Sequence, residues 1–273
     1  MYRMGLLASL RSISLDCKFI GCMITASHNP AEDNGCKLVD PFGDMLEEKW
    51  EEYATDLVNS NDLKATLIQL CNEKLKCWID EFDKKNLNDK PVRPNVTVAH
   101  DTRDSCPVLL DAFKTGVEKL NGVLVNYGLL TTPQLHYMVR CLNTNGAYGE
   151  PNEDGYFNKL TQAFFNIWSL IDFRKNSNYD TELYLDGANG VGAVKMNIMA
   201  KLLSSASIDG SYMNSSASTT NSHHKNGNYN YRHRPTEKNL NIHLFNDASG
   251  PNDQLNHLVI IFFIFIYSIM IKL

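Results

Sequence analysis

Cys22-Met23-Ile24-Thr25-Ala26-Ser27-His28-Asn29-Pro30 is the stretch that decides how this chain folds. Cys22-Met23-Ile24 is apolar throughout and reads as the end of a buried strand. Asn29-Pro30 stops that strand, because proline biases its predecessor away from the α region and has no N–H to give a ladder. Ser27 and His28 are thereby held in a turn at a strand end, where α/β sheets offer their chemistry to ligands. The same pattern also fits a serine that merely hydrogen-bonds a turn backbone. In either case His28 is a poor base for Ser27, since neighbouring side chains in extended chain point apart.

Outward from this loop, Asn34-Gly35 is a hairpin signal leading into a second strand, Cys36-Lys37-Leu38-Val39. A later apolar strand, Val96–Ala99, runs into His100-Asp101-Thr102-Arg103. Taken together, T-A-S-H-N-P-x-x-x-N-G-x-K and D-T-R resemble the α-D-phosphohexomutase family. The surrounding words D-N-G-C-K-L-V-D-P-F-G-D-M-L, Y-G-L-L-T-T-P-Q-L-H-Y-M-V and D-G-A-N-G-V-G-A are similar to the branch acting on N-acetylglucosamine phosphates. The resemblance covers about residues 3–203 and resumes over 244–258.

The resemblance implies a mixed-sheet α/β domain over 1–176 and an incomplete second α/β domain over 179–257. It implies an isomerase that interconverts N-acetylglucosamine 6-phosphate and 1-phosphate on the way to UDP-N-acetylglucosamine. Ser27 would carry a phosphate and exchange it with the sugar through a bisphosphate. Lys37 and Arg103 are the matched cations placed near that phosphate, with His28 adjacent. For each of the three the alternative is a solvated or loop-stabilising side chain. Mg²⁺ is the implied cofactor, with the phosphate on Ser27 as one ligand. The family's D-G-D-x-D-R metal loop has no counterpart in these residues, Asp209-Gly210-Ser211 being the nearest approach. Its E-x-N-G-x-G and R-x-S-G-T-E-P segments and its early G-T-A-G-F-R turn are missing too, so the chain is expected to be a truncated form. Ala99-His100 stands where the family has Gly-Arg, and Asp104 where it has proline, which removes one cation from the clamp. A non-catalytic homologue that binds a partner or a membrane stays open, as does a phosphoglucomutase or phosphomannomutase of other sugar specificity.

Bulk composition narrows the classes. A chain of 273 residues can bury one large or two medium cores. A net charge of −5 gives no electrostatic footprint for nucleic acid. Seven cysteines without a C-x-x-C pair point to reduced thiols and a cytoplasmic address. The substrate expected from the resemblance is a sugar phosphate, with no nucleic-acid partner and no membrane contact.

Along the chain, a helix is expected over Leu6–Leu15, and the turn Asp40-Pro41-Phe42-Gly43 follows the second strand. The next helix, Glu47–Val58, places Trp50, Tyr53, Ala54, Leu57 and Val58 on one stripe. A second covers Asn61–Phe82, before a polar linker at Lys84–Pro94. Asp104, Ser105 and Pro107 open a helix to about Leu120 that buries Leu109, Ala112, Phe113 and Leu120. Val123–Val125 is a strand, and Thr132-Pro133 opens the helix after it. Asp154-Gly155 introduces a helix with Tyr156, Phe157, Leu160, Phe164, Ile167 and Ile171 on its apolar face. Leu183–Asp186 is a strand whose glycines, Gly187, Gly190 and Gly192, allow a tight turn into a helix. Residues 204–236 are rich in Ser, Asn and His and are expected to be a disordered insertion. Asn241–Phe245 is a strand again. The apolar run Leu258–Ile271 would span roughly 21 Å as a helix, short of the ~30 Å hydrocarbon core. It is expected to lie outside the fold.

Purified as it stands, the chain should not turn over N-acetylglucosamine 6-phosphate in a coupled assay with Mg²⁺ and a trace of sugar bisphosphate. Two phosphoryl groups must meet with little neutralisation, and each ~1.4 kcal/mol of lost stabilisation is a tenfold loss of rate. Turnover within about tenfold of a full-length relative would mean that residues such as Asp186 or Asp209 replace the missing loop.

Overall fold

The structure is a computed structural model and describes residues 1–74, 93–168, 182–205 and 241–245. Ile171, most of the linker expected at 84–94, residues 206–236 of the polar insertion and the apolar tail lie outside them. Two compact units divide the chain within one helix, residues 1–156 in the first and 157–254 in the second.

The first unit is built on four strands, β1 (Phe19–Thr25), β2 (Gly35–Val39), β3 (Asn95–His100) and β4 (Val123–Leu129), in the order β2-β1-β3-β4. β1 runs antiparallel to β2 and parallel to β3, and β3 runs parallel to β4. This is the mixed sheet that the motifs imply. Its centre is covered on both faces, so β1 reads as a continuous apolar run rather than an alternation. Ile20, Cys22 and Ile24 face one core, with α1 (Tyr2–Ser14), α2 (Glu48–Asn59) and α4 (Cys106–Lys119). Met23 faces the other, filled by Leu135, Met138 and Val139 of α5 (Thr132–Asn143). α5 begins at a capping box in which Thr131 and Gln134 satisfy each other's backbone N–H groups.

α1 and α4 cross at a glycine pair. A Cβ on Gly5 would collide with the Phe113 carbonyl oxygen, and one on Gly116 with the Tyr2 carbonyl oxygen. The close approach brings two backbones into contact and lets Leu6, Leu7 and Phe113 bury fully or nearly so. The end of α1 also carries Arg11, an unexpected guest on a helix read as apolar. Its guanidinium grips Asp40 through Nε (2.9 Å) and Nη2 (2.6 Å) and reaches Glu47 at 3.0 Å. It also lies over the Trp50 ring, 4.9 Å from the centroid. Asp40 in turn accepts the Glu47 N–H. One buried cation therefore fixes the turn after β2 and the start of α2.

Three expectations need correction. Val58 is 48% exposed, because the stripe on α2 is Trp50, Tyr53 and Leu57, and Val58 lies a further 100° around the helix. Of the helix expected over Asn61–Phe82, the described part is α3 (Leu63–Gln69), capped by Asp62, which passes into a π turn over Leu70–Lys74 rather than running on as regular α-helix, and residues 75–82 lie outside the described residues. In α4 the fully buried positions are Cys106, Phe113, Gly116 and Val117, while Leu109, Ala112 and Leu120 are only partly covered.

α6 (Glu153–Trp168) carries Phe157 and Phe164 buried. In the second unit, β5 (Glu182–Asp186) and β6 (Asn241–Phe245) pair in parallel, with α7 (Val191–Ser205) between them in sequence. The left-handed residues of the β5–α7 turn are Ala188 (φ 47°) and Asn189 (φ 52°), not the glycines. Ala188 N–H donates to the Asp186 carboxylate, which stabilises that backbone, and Gly192 already belongs to the helix. Among the described residues no helix is long and apolar enough to cross a membrane.

Gly116→Ala tests the helix crossing. Alanine is favoured over glycine by about 1 kcal/mol inside a helix. Overpacking against a backbone carbonyl should reverse that sign, for a net loss of about 1–3 kcal/mol. Thermal unfolding should show a midpoint lower by several degrees; an unchanged or raised midpoint would mean that the helices part without cost.

Candidate active site: the serine loop

Residues 26–34 join β1 to β2, so the hairpin is wide rather than a two-residue turn. Gly35 is already the first residue of β2, opposite Thr25. Within the loop Ser27 has φ 56°, a left-handed conformation that a side chain disfavours by about 1–2 kcal/mol. Local hydrogen bonds hold it: Ser27 N–H donates to Thr25 Oγ1 at 2.9 Å, and Asn29 N–H to the Ala26 carbonyl at 3.0 Å. A single 3-10 turn, Ala31–Asp33, carries the chain back toward β2.

Register then delivers Lys37. It pairs with Met23, two residues before Thr25, and strand residues two apart share a face. From there its Nζ donates to Ser27 Oγ at 2.6 Å. The ammonium and the hydroxyl are both open to solvent on one side.

β3 supplies the other wall. Its pairing of His100 with Ile24 sets the D-T-R turn beside the loop, and Asp101 N–H donates to the Ile24 carbonyl at 3.1 Å. Arg103 pairs with the Asp101 carboxylate through Nη1 and its own backbone N–H. Its Nη2 donates to the carbonyl of Ser27 at 3.0 Å and to that of Asn29 at 3.4 Å. Arg103 therefore grips the loop backbone while Asp101 offsets its charge. At the far end, Asn34 Nδ2 donates to Ser105 Oγ (2.8 Å) and to Cys106 Sγ (3.4 Å). Burial pushes the Cys106 thiol up, so it stays an S–H group and donates to Asp101 Oδ1.

Of the residues singled out from sequence, Ser27, Lys37 and Arg103 come together. His28 is exposed at the loop tip beside them. His100, standing in place of the family's arginine, turns its Nδ1 to the Asp101 carbonyl at 2.7 Å. Asp101, Asn34 and Cys106 were not singled out for roles of their own. The available signal was an aspartate two residues before an arginine in a strand-end turn.

The described residues do not form a magnesium cage. Ser27 brings one oxygen, Asp101 is engaged by Arg103, and no three His, Cys, Asp or Glu side chains converge among the described residues. Asp186 is occupied with its own turn, and Asp209 lies outside the description.

Residues 9–65 match the family described as phosphoglucomutase/phosphomannomutase, alpha/beta/alpha domain I. Over its aligned residues the chain is similar to members of the α-D-phosphohexomutase superfamily. The curated relatives it matches are phosphoacetylglucosamine mutases. The human one is 44% identical over 205 residues, 73% of this chain and 34% of that protein. The Candida albicans one is 42% identical over 201 residues, 71% of this chain and 35% of the relative. Among solved structures, Aspergillus fumigatus N-acetylphosphoglucosamine mutase in complex with GlcNAc-6P and magnesium is 33% identical with a TM-score of 0.62. That match covers 90% of this chain and 37% of the other. An N-acetylglucosamine-phosphate mutase in its substrate complex is 40% identical with a TM-score of 0.60, over 74% of this chain and 35% of the other. The chain thus spans about a third of the length of the curated relatives it matches.

Arg103→Gln should destabilise the first unit by about 3–5 kcal/mol, because it leaves the Asp101 carboxylate, 3% exposed, without its counter-charge. Urea unfolding measures this. Adding Asp101→Asn should recover part of the loss; additive losses from the two changes would show that the residues do not act as a pair.

Proposed function

We propose that this chain carries the phosphoserine half-site of an N-acetylglucosamine-phosphate mutase, an enzyme that interconverts the 6-phosphate and the 1-phosphate. The observation that carries the reading is the 2.6 Å hydrogen bond from Lys37 Nζ to Ser27 Oγ, in the loop that matches the family. Phosphoryl transfer demands little covalent help and much charge neutralisation and alignment. An ammonium within hydrogen-bond reach of the carrier oxygen supplies the first, and a loop clamped at both ends supplies the second.

In the forward direction the phosphate on Ser27 passes to a free hydroxyl of the sugar monophosphate. A bond forms between the sugar oxygen and phosphorus, the Ser27 Oγ–P bond breaks, and the sugar's hydroxyl proton ends on the serine oxygen. The bisphosphate then returns its other phosphate to Ser27 by the reverse step. Lys37 sits beside the oxygen that gains negative charge each time the serine leaves. Arg103 holds the Ser27 and Asn29 carbonyls and so keeps that oxygen in place. Magnesium belongs to this reading through the A. fumigatus complex. It would take an oxygen of the phosphate on Ser27 as a ligand.

The six free thiols among the described residues support a reducing, cytoplasmic setting. β5, α7 and β6 are read as the opening of a second α/β domain, after a first that carries the serine loop.

Incubation of the chain with a hexosamine bisphosphate, followed by intact-mass and peptide analysis, tests the assignment. One phosphoryl group on Ser27 is expected, and none in Ser27→Ala. Phosphate on another residue with Ser27 bare would sink the reading.

A further inference from the structure

The serine loop is tied at Ser27, Asn29 and Asn34 by groups that converge on one carboxylate, with a separate bond from Asn34 to Ser105 Oγ. Asp101, 3% exposed, accepts from the Arg103 N–H (3.1 Å), from Arg103 Nη1 and from the Cys106 thiol (3.4 Å). Each side-chain donor continues into the loop. Arg103 Nη2 reaches the carbonyls of Ser27 and Asn29, at the start and middle. Cys106 Sγ receives Asn34 Nδ2, at the end. Without these ties Ser27 would be held left-handed, a conformation that its side chain disfavours, only by its contacts with Thr25 and Lys37 on the flanking strands. A return to negative φ would swing the side chain away from Lys37.

Electrostatics favours the same role. A bare guanidinium beside Ser27 would compete with Lys37 for a phosphate, and a bare carboxylate would repel it. Paired, the two nearly cancel, and Lys37 is left as the cation hydrogen-bonded to the serine oxygen. We propose that Asp101 is the positioning residue of the phosphoryl carrier: through Arg103 and Cys106 it locks the loop so that Ser27, or the phosphate it bears, faces Lys37. This rests on the reading of Ser27 as the carrier.

The test uses the chain with phosphoserine incorporated at position 27 and follows its ³¹P resonance through a pH titration. A free phosphoserine titrates near about 6. An ammonium held against the phosphate favours the dianion and lowers that midpoint. The wild-type chain should therefore titrate below the free value, and Lys37→Met should abolish the shift. Asp101→Asn should return the midpoint toward the free value and speed amide exchange over residues 27–34 by roughly tenfold or more, with β1 and β3 unchanged. A structural residue elsewhere in the core would not move the phosphorus midpoint. Should Asp101→Asn fail to fold, Cys106→Ala, which cuts only the Asn34 arm, is read instead. It should speed exchange at the loop end and lose part of the shift, and Cys106→Ser should restore both. A wild-type midpoint at the free value would overturn the carrier reading and this proposal with it. A lowered wild-type midpoint that survives Asp101→Asn, or Cys106→Ala where that variant is read, would overturn the positioning role alone.

Discussion

The geometry of the serine loop depends on the pairing of Asp101 with Arg103. A buried ion pair is a weak source of stability, because both charges lose water to form it. Its value here lies in where the Nη2 hydrogens of the guanidinium go. They reach two loop carbonyls that would otherwise be satisfied only by solvent, and they do so across 76 and 74 residues of chain. The pair turns a flexible connection between two strands into a fixed one. Arg103 is thereby a strut, which leaves Lys37 to attend the hydroxyl.

That strut works only if β1 and β3 lie side by side in register, and the rest of the first unit secures this. Both faces of β1 are covered, by α1, α2 and α4 on one side and α5 on the other. The glycine crossing of α1 and α4 lets these helices sit close together over the sheet. Asn143, at the end of α5, reaches back to bond the N–H and the carbonyl of Phe19, where β1 begins. At the same end of the sheet Arg11 ties the turn after β2 to α2, which holds the strand that carries Lys37. The loop is irregular chain fixed by its surroundings.

Much of this was legible in the sequence because it is local. The proline after Asn29, the apolar run before Thr25 and the strand ending at His100 each write their signal within a few residues. The alternation of strands and helices, and hence an α/β domain, followed from those, while the mixed sheet came from the resemblance. What escaped was pairing at a distance. Arg11 reads as a polar interruption of an apolar helix, and only the fold shows that its partner is Asp40. Gly5 and Gly116 look like ordinary helix-weakening residues until the two helices are seen in contact. In the β5–α7 turn the glycines drew attention, yet the strained backbone falls on Ala188 and Asn189, because an aspartate hydrogen bond supports it there. Arg103 was read as a cation for phosphate; its carbonyl partners could not be inferred from spacing.

The central claim is a division of labour, with Lys37 on the phosphate and Arg103 on the loop. A crystal structure of the chain bearing phosphoserine at position 27 tests it most directly. Lys37 Nζ should lie within hydrogen-bond distance of a phosphoryl oxygen, with Arg103 still on Asp101 and on the Ser27 and Asn29 carbonyls. An Arg103 swung onto the phosphate, with Asp101 abandoned and Lys37 in solvent, would contradict it.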